Sequence, residues 1–538
     1  MKTNKITKFI LSGALVVALA SCNEFLDVQP DNRTTIDSSD KAASLLVTAY
    51  ADNQPWMFLE MMSDNCDNHG SNYAYETQYA DEIFTWAEPT QEDNTSPKRT
   101  WEGQYQAIAA ANQALMALDE MERNATNDAI RGEALICRAY AHFVLVNIFC
   151  QHYDPAHPED LGIPYMEHAE TELNPQYERG TVHRVYELIE KDVEAGLPLI
   201  NDAIYSVPKY HFNVRAAYAF AARFYLYYQK YQKAVECATT AISTNPQPML
   251  RNYTELLTYP ISNGSQLVTA ATYYTSTTLQ CNFLLATSYS QAGVRFGGYG
   301  NFAQYNHGQY IANNEGVNYT TVTYNGHRSP AYPFAASATS RASWRRTTLN
   351  FTNGLDKILL PHVPYLFEYT DPVAGIGYAH AVYPLFTADE TLLTRAEAYI
   401  MMEDYESALA DMNLYVKNVC SSSRTMTVAS VESWADDVDE YQPEAPTPKK
   451  KLTPAFTLNK TQEAMVHTLL ALRRYETLHY GLRWFDVKRF GIEIYRRTLN
   501  STNLGILSVD DKLVARDPRR AIQLPVDVIS AGMTPNPR

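Results

Sequence analysis

Two stretches of this chain share one pattern. The first reads NVRAAYAFAARFYLYYQ over 213–229 and, after a single lysine, YQKAVECATTAIS over 231–243. The second reads TLLTRAEAYIMM over 391–402 and, two residues later, YESALADMNLYVKNV over 405–419. Ala222, Tyr225, Ala234, Ala238 and Ala241 in the first stand at the same offsets as Ala396, Tyr399, Ala408, Met412 and Tyr415 in the second. Apolar residues at helical spacing, broken by a very short joint, read as two antiparallel helix pairs. Small residues let paired helices approach closely, and the tyrosine fills the groove between them. Pro246 follows the first pair and no proline follows the second.

The pattern resembles the tetratricopeptide repeat. The predicted fold class is therefore all-α: a tetratricopeptide-like helical repeat scaffold, an α/α superhelix, with long irregular loop insertions. Further helices are predicted on both sides. Residues 101–121 place Tyr105, Ile108, Ala111, Leu115 and Leu118 on one face, and 129–150 is strongly apolar with Arg131, Glu133 and Arg138 on its outer side. Residues 181–199 open on a capping Thr181 and align Val185, Leu188, Ile189 and Val193, and 461–480 forms another helix. The repeat pairs fall in about 101–243 and 391–490. Between and before them, about 250–385 and 60–100 are rich in Gly, Asn, Ser, Thr and Tyr with weak periodicity, and read as loop-rich insertions. Residues 441–451, with Pro443, Pro446 and Pro448 ahead of three lysines, read as an exposed loop.

The chain has 538 residues, 46% hydrophobic and 19% charged, which excludes a disordered polymer. Residues 1–21 carry Lys2, Lys5 and Lys8 and then an apolar run from Phe9 to Ala20, too short to span a bilayer. They read as a cleavable export signal. Losing them takes the formal charge from -16 to -19. So acidic a chain is no partner for nucleic acid or for an anionic membrane face. The aromatic count is 39 Tyr, 19 Phe and 6 Trp. A dry core has no need of so many phenol hydroxyls, whereas a wet amphipathic binding surface does.

The signal ends Leu19-Ala20-Ser21-Cys22, an arrangement that resembles the bacterial lipoprotein box. Cys22 is the predicted lipidation site and first mature residue, and several acyl chains there would anchor the protein stably. No other run is long and apolar enough to span, so the remainder is expected to be soluble. Cys66, Cys137, Cys150, Cys237, Cys281 and Cys420 form no C-x-x-C pair and read as small buried hydrophobes.

Three further segments carry a family resemblance: Arg131-Gly132-Glu133-Ala134-Leu135 with Arg138-Ala139-Tyr140-Ala141-His142-Phe143; Asp160-Leu161-Gly162-Ile163-Pro164-Tyr165; and Gly481-Leu482-Arg483-Trp484-Phe485-Asp486-Val487-Lys488-Arg489. With Gln523-Leu524-Pro525 and Asn536-Pro537 at the end, the chain resembles the SusD/RagB family of Bacteroidetes outer-membrane lipoproteins from Cys22 to Arg538. It departs at His479-Tyr480-Gly481, where that family commonly has Phe-Glu-Gly, and at Leu472, where an acidic residue is usual. The resemblance implies one SusD-like domain over 22–538, exposed at the cell surface. It implies glycan capture and a partnership with a SusC-like TonB-dependent transporter. Glu24 and Asp27 are similar to the acidic stretch that sends such lipoproteins to the surface. Oligopeptide cargo, or a purely structural lid with no ligand, are the alternatives.

Sugar rings present apolar C–H faces edged by hydroxyls, so a site needs flat aromatic platforms beside hydrogen-bonding groups. Two regions supply both. One holds Asp67, Asn68, His69, Tyr73, Tyr75 and Trp86, and the other Phe296, Tyr299, Tyr305, Arg328, Trp344 and Arg345. Arg131, Glu133, Arg138, Trp484, Asp486 and Arg489 read as structural, pairing across neighbouring helices. His152 and His157 lack a third ligand at useful spacing and read as surface-loop residues, so no metal site is assigned. No cofactor is expected beyond the lipid on Cys22, with calcium left open. The chain lacks H-E-x-x-H, G-x-S-x-G and a phosphate loop, and the expectation is a binding protein rather than an enzyme.

Overall fold

Helices form where small and apolar residues recur at helical spacing and a side chain stands ready to cap the start. The computed structural model describes residues 36–538 apart from 71–75, 172–174, 298–303, 320–321, 325–326, 347–348, 351–355 and 501–504. Its longer helices are α1 (Ser39–Leu46), α2 (Trp56–Met62), α3 (Gln78–Phe84), α4 (Pro97–Asp119), α5 (Ala125–Phe149), α6 (Val182–Gly196) and α7 (Val214–Tyr227). They continue with α8 (Tyr231–Ile242), α9 (Gly264–Tyr274), α10 (Ala388–Met401), α11 (Tyr405–Val419), α12 (Val428–Asp437), α13 (Lys460–Thr477) and α14 (Arg483–Arg489). Ser96 caps α4 ahead of Pro97, Thr181 caps α6, and Asn459 with Gln462 closes a capping box on α13. Each cap satisfies a first-turn N–H that has no partner inside its helix.

The two repeat pairs are α7–α8 and α10–α11, and α8 packs directly on α10. Ala222, Ala234, Ala238, Ala241, Ala396 and Ala408 are fully buried at these contacts. The likeness extends into the turns. Lys230 N–H reaches the Tyr225 carbonyl at 2.9 Å, and Asp404 N–H reaches the Tyr399 carbonyl at 2.9 Å. The joints Gln229 (φ 60°) and Glu403 (φ 62°) share the same left-handed backbone.

The stack continues through α4 on α5 and α5 on α6. Gly132 sits where α5 meets the end of α6. A Cβ there would lie 2.8 Å from the Leu199 Cβ and 3.0 Å from the Gly196 carbonyl oxygen. Helix α5 is long and apolar enough to cross a bilayer, contrary to the sequence expectation, and is almost wholly buried as the central core helix. With neighbours on both sides it has no outer face for Glu133 and Arg138. Both are buried, and Arg138 grips Asp192 of α6 through two hydrogen bonds of 2.7 and 2.6 Å. The six cysteines Cys66, Cys137, Cys150, Cys237, Cys281 and Cys420 are buried and unbridged.

The insertions are more ordered than expected. They hold β1 (Asp67–Asn68), β2 (Asn282–Tyr289), β3 (Tyr305–Asn306), β4 (Leu366–Asp371) and β5 (Ile376–Thr387); β6 (Ile494–Leu499) and β7 (Ile506–Leu513) follow α14. One sheet runs β2-β5-β4 and a second β7-β6-β1-β3, beside short two-stranded ladders. β2 and the inner end of β5 are covered on both faces, which removes the alternation by which a strand is recognised. β5 runs straight into α10, with Thr387 as the helix cap.

Candidate functional site

The two predicted aromatic-polar regions meet. Asp67 opposes Asn306 and Asn68 opposes Tyr305 across β1 and β3. Their rings, however, face protein. Trp86 lies under the Arg496 guanidinium, 3.9 Å from its ring centroid, and its indole N–H donates to the Met62 carbonyl at 2.9 Å. Tyr305 stacks on Phe84 at 4.3 Å and its hydroxyl donates to Asp81 at 2.8 Å. Phe296 stacks on His479 at 5.0 Å. Trp344 stacks on Tyr475 at 3.9 Å, on a separate ladder between 343–344 and 420–422.

These four residues were expected as open platforms, and the structure corrects that: each is buried, with a face already covered. The physical reason is that irregular backbone cannot fill its own interior, so nearby rings and guanidiniums are drawn in. Asp67 is buried in a two-pronged pair with Arg497, 2.9 Å at each prong, and His69 is buried 3.2 Å from Asp356. Asn68 is half-buried and Arg345 is exposed, donating to the Asn418 carbonyl at 3.0 Å. Arg328 lies in a short strand with its backbone opposite Thr323. Cys22, Tyr73, Tyr75, Tyr299 and the Arg328 side chain lie outside the described residues.

Beneath this face runs a buried charge network. The Asp64 carboxylate accepts from Arg483 at 2.8 Å, Arg474 at 2.8 Å and Lys450 at 2.7 Å. Burial opposes its ionisation, yet these three cations hold its carboxyl well below the usual range. Glu315 joins Lys450 at 2.6 Å to Arg497 at 2.8 Å, and burial is again outweighed, so its carboxyl is held low. The loops are thus bound to α13, α14 and β6. His152, expected on a surface loop, is buried, and desolvation pushes its imidazole down to about 3. No group of three or more His, Cys, Asp or Glu is placed to hold a metal among the described residues.

A roomier feature lies on the other flank. A trough of about 670 Å³ runs between α4, residues 164–170 and 175–177, and the short helix Val526–Ser530. Its base holds Trp101 and Tyr105, with ring centroids 4.8 Å apart. Tyr177 is exposed on its wall, and its hydroxyl donates to Glu170 at 2.5 Å. The walls are tied. Asn112 donates to the carbonyls of Met166 at 2.9 Å and His168 at 3.1 Å, and Arg179 holds the tail through the Thr534 carbonyl at 2.9 Å and Asn536 Oδ1 at 2.8 Å.

Set against solved structures, the fold has clear relatives. A SusD superfamily protein from Bacteroides thetaiotaomicron superposes with a TM-score of 0.63 at 18% identity, over 94% of this chain and 100% of the other. Residues 24–226 match the SusD-like family described as starch-binding and associating with the outer membrane. Residues 24–226 are thus similar to that family, and the fold of the chain is similar to those of the SusD structures. A SusD-like carbohydrate-binding protein from Bacteroides vulgatus gives a TM-score of 0.57 at 14% identity, covering 92% of this chain and 97% of its own. A laminarin-binding SusD-like protein gives 0.52 at 16% identity, covering 93% and 98%. Comparison with curated proteins finds no match. The trough is hidden in the sequence because Trp101 and Tyr105 fall on a helix whose apolar spacing points to the core. The signal that finds it is the polar opposite face of α4, Glu102, Gln106 and Gln113, beside a segment bracketed by Pro164 and Pro175.

Proposed function

We propose that this SusD-like chain captures glycan outside the outer membrane, held there by acyl chains on Cys22, and passes it unaltered to a SusC-like TonB-dependent transporter. The observation that carries the reading is the family match itself, which begins at residue 24, directly behind the lipoprotein box. The carbohydrate-binding and laminarin-binding descriptions of its fold relatives agree with it.

Binding without turnover fits the placement of the two carboxyls raised to near neutrality, Glu60 and Glu476. A glycosidase needs a carboxyl of raised pKa within reach of the glycosidic oxygen. Burial pushes Glu60 up to about 7 and Glu476 up to about 8, but both are sealed inside the protein at 0% and 3% exposure. Glu60 is spent on the turn after α13, accepting from the N–H groups of His479 at 2.8 Å and Gly481 at 3.1 Å.

The test is calorimetric titration of the purified protein against a panel of oligosaccharides and a peptide pool, with reducing ends assayed after prolonged incubation. The expected result is saturable glycan binding and no new reducing ends. Binding of peptides alone, or release of shorter sugars, would overturn the reading. Cys22→Ala is expected to move the protein from the membrane fraction to the soluble one.

A further inference from the structure

We propose that the face of the sheet β2-β5-β4 that carries Tyr289, Tyr378 and Glu368 is a binding site for the protonated amine of an amino sugar, so that the glycans this chain captures include ones with free amino groups. This rests on the glycan reading above and adds a place and a ligand class to it.

The strand register assembles this face. Tyr378 of β5 stands opposite Glu368 of β4, and His380, two residues further along β5, stands opposite Tyr289 of β2. Alternation along a strand then puts Glu368, Tyr378, His380 and Tyr289 on one side of the sheet. The contacts agree. The Tyr289 ring meets Tyr378 edge-on at 5.7 Å and His380 at 4.3 Å, and His380 Nε2 lies 2.7 Å from Glu368 Oε2. The loop ahead of α2 joins at the end of β2, where Tyr289 N–H donates to the Asp52 carbonyl at 3.0 Å. Desolvation raises the Tyr289 phenol, and Glu368 and Asp52 raise it further, so both carboxylates lie about this ring. The groups are open to solvent. Tyr378 is 48% exposed, Asp52 and Glu368 are exposed, and Tyr289 is half-buried.

The charge selects the occupant. Residues 282–289, 366–387 and 50–55 contain no lysine or arginine. Asp52 makes no ion pair among the described residues, and Glu368 pairs there with His380. Even with His380 counted as a cation, one carboxylate is left over. Partial burial raises the Asp52 carboxyl, which His380 opposes and Glu368 reinforces, so an arriving cation relieves a charge that is held there at a cost. An ammonium over a tyrosine face is attracted by the ring as well. A uronate meets like charge instead, and a neutral sugar gains the stacking alone. A lysine side chain brings the same ammonium, but an amino sugar adds a C–H face for the second ring and hydroxyls for the phenols.

The experiment is calorimetry of the purified protein with chitosan oligomers, N-acetylated chitin oligomers of the same length, neutral malto- and laminari-oligosaccharides, and a lysine-rich peptide. Chitosan and chitin oligomers share a skeleton and differ in the amine. Chitosan is expected to bind roughly tenfold tighter than chitin oligomers, and less tightly as salt is raised. Tyr378→Leu and Glu368→Gln are each expected to lose roughly threefold or more of that affinity. Tyr369→Leu is the control: Tyr369 is exposed on the same hairpin, but stands opposite Gly377 on the other side of the sheet, and its loss should change nothing. All three variants are checked for unchanged circular dichroism and melting. Equal affinity for chitosan and chitin oligomers overturns the ligand class. Wild-type chitosan affinity in both Tyr378→Leu and Glu368→Gln overturns the place. A lysine-rich peptide that binds tighter than chitosan overturns the amino sugar as occupant. In each of these cases binding of the neutral sugars keeps the glycan reading intact, whereas failure of every glycan to bind overturns the proposal together with the reading beneath it.

Discussion

The repeat stack and the loop face use the same residue, arginine, for different purposes. In the stack, buried arginines answer carboxylates: Arg138 pairs with Asp192, Arg395 with Asp411 at 2.8 Å through both prongs, and Arg489 with Glu397 at 2.6 Å. In the loop face Arg497 also pairs with Asp67, but Arg496 and Arg520 answer bare backbone. Arg496 donates to the carbonyls of Phe84 at 2.5 Å, Ser63 at 2.9 Å, Met61 at 3.0 Å and Met62 at 2.9 Å. Arg520 likewise donates to the carbonyls of Val514, Val487, Ile492 and Leu513. A helix satisfies its own carbonyls, so charges inside a helical stack need only each other. Irregular backbone leaves carbonyls open, and a five-donor fork closes several at once. The protonation energetics differ accordingly. Burial without a counterion pushes Arg496 down to about 9 and Arg520 down to about 10, whereas for Arg489 the Glu397 carboxylate outweighs burial and holds its charge firmly.

The contrast breaks most easily at Arg496. Arg496→Met takes this donor from the buried carbonyls of Phe84, Ser63 and Met61, while Met62 keeps the Trp86 indole N–H, a loss of about 3–5 kcal/mol. Arg496→Lys is expected to recover little of it, since one compact ammonium cannot span the four acceptors. Thermal melting and urea unfolding report both variants, and a cost below about 1 kcal/mol for Arg496→Met would end the claim that the guanidinium substitutes for secondary structure.

The stack should behave otherwise. Asp411→Leu alone strands the Arg395 charge and is expected to cost about 3 kcal/mol, yet adding Arg395→Met should return most of it, because removing both buried ions removes their desolvation too. No such rescue exists for Arg496, whose partners are main chain. A double-mutant cycle that shows no recovery in the stack would erase the difference between the two regions.

A smaller effect separates them by pH. His152, just past the end of α5, stays neutral in the fold down to about 3 because burial disfavours its charge. In the unfolded chain it takes a proton near its ordinary value of about 6.5. The unfolded state therefore binds more protons between those values, and stability falls as pH drops through 6.5. By linkage the loss at pH 5 is about 2 kcal/mol for this residue. His152→Phe is expected to shrink the difference in melting temperature between pH 7 and pH 5, and an unchanged difference would place the proton elsewhere.

The same contrast explains what the sequence revealed. The helices were legible because their signals are local: Thr181 at a cap, alanines four apart, a tyrosine at a fixed offset. The insertion strands were hidden because β2 and the inner end of β5 are covered on both sides. Trp86 and Trp344 were visible as aromatics among polar residues, but what covers them, Arg496 and Tyr475, lies hundreds or scores of residues away in sequence. Nothing near Trp86 announces that a guanidinium will sit on its face. The trough was hidden for the opposite reason, since it is built from one face of a helix whose other face is core.

The subtlest difference lies inside the stack itself, at the two turns. Gln229 and Glu403 each occupy the position just past a helix where glycine is usual, with φ of 60° and 62°. The hydrogen bonds are those of a complete Schellman closure: Gln229 N–H to the Leu226 carbonyl at 3.1 Å and Lys230 N–H to Tyr225 at 2.9 Å, matched by Glu403 to Ile400 at 3.0 Å and Asp404 to Tyr399 at 2.9 Å. A residue with a Cβ is strained there, by about 1 kcal/mol relative to glycine. Gln229→Gly and Glu403→Gly are each expected to stabilise by up to that amount, a rise of about 1 °C in melting temperature for a chain this long. Gln229→Ala and Glu403→Ala keep the Cβ and should give no gain. Because the two turns have the same hydrogen bonds and nearly the same φ, the two gains should also agree with each other. A gain at one turn and a loss at the other would show that the resemblance stops at the alanines and does not reach the backbone that joins them.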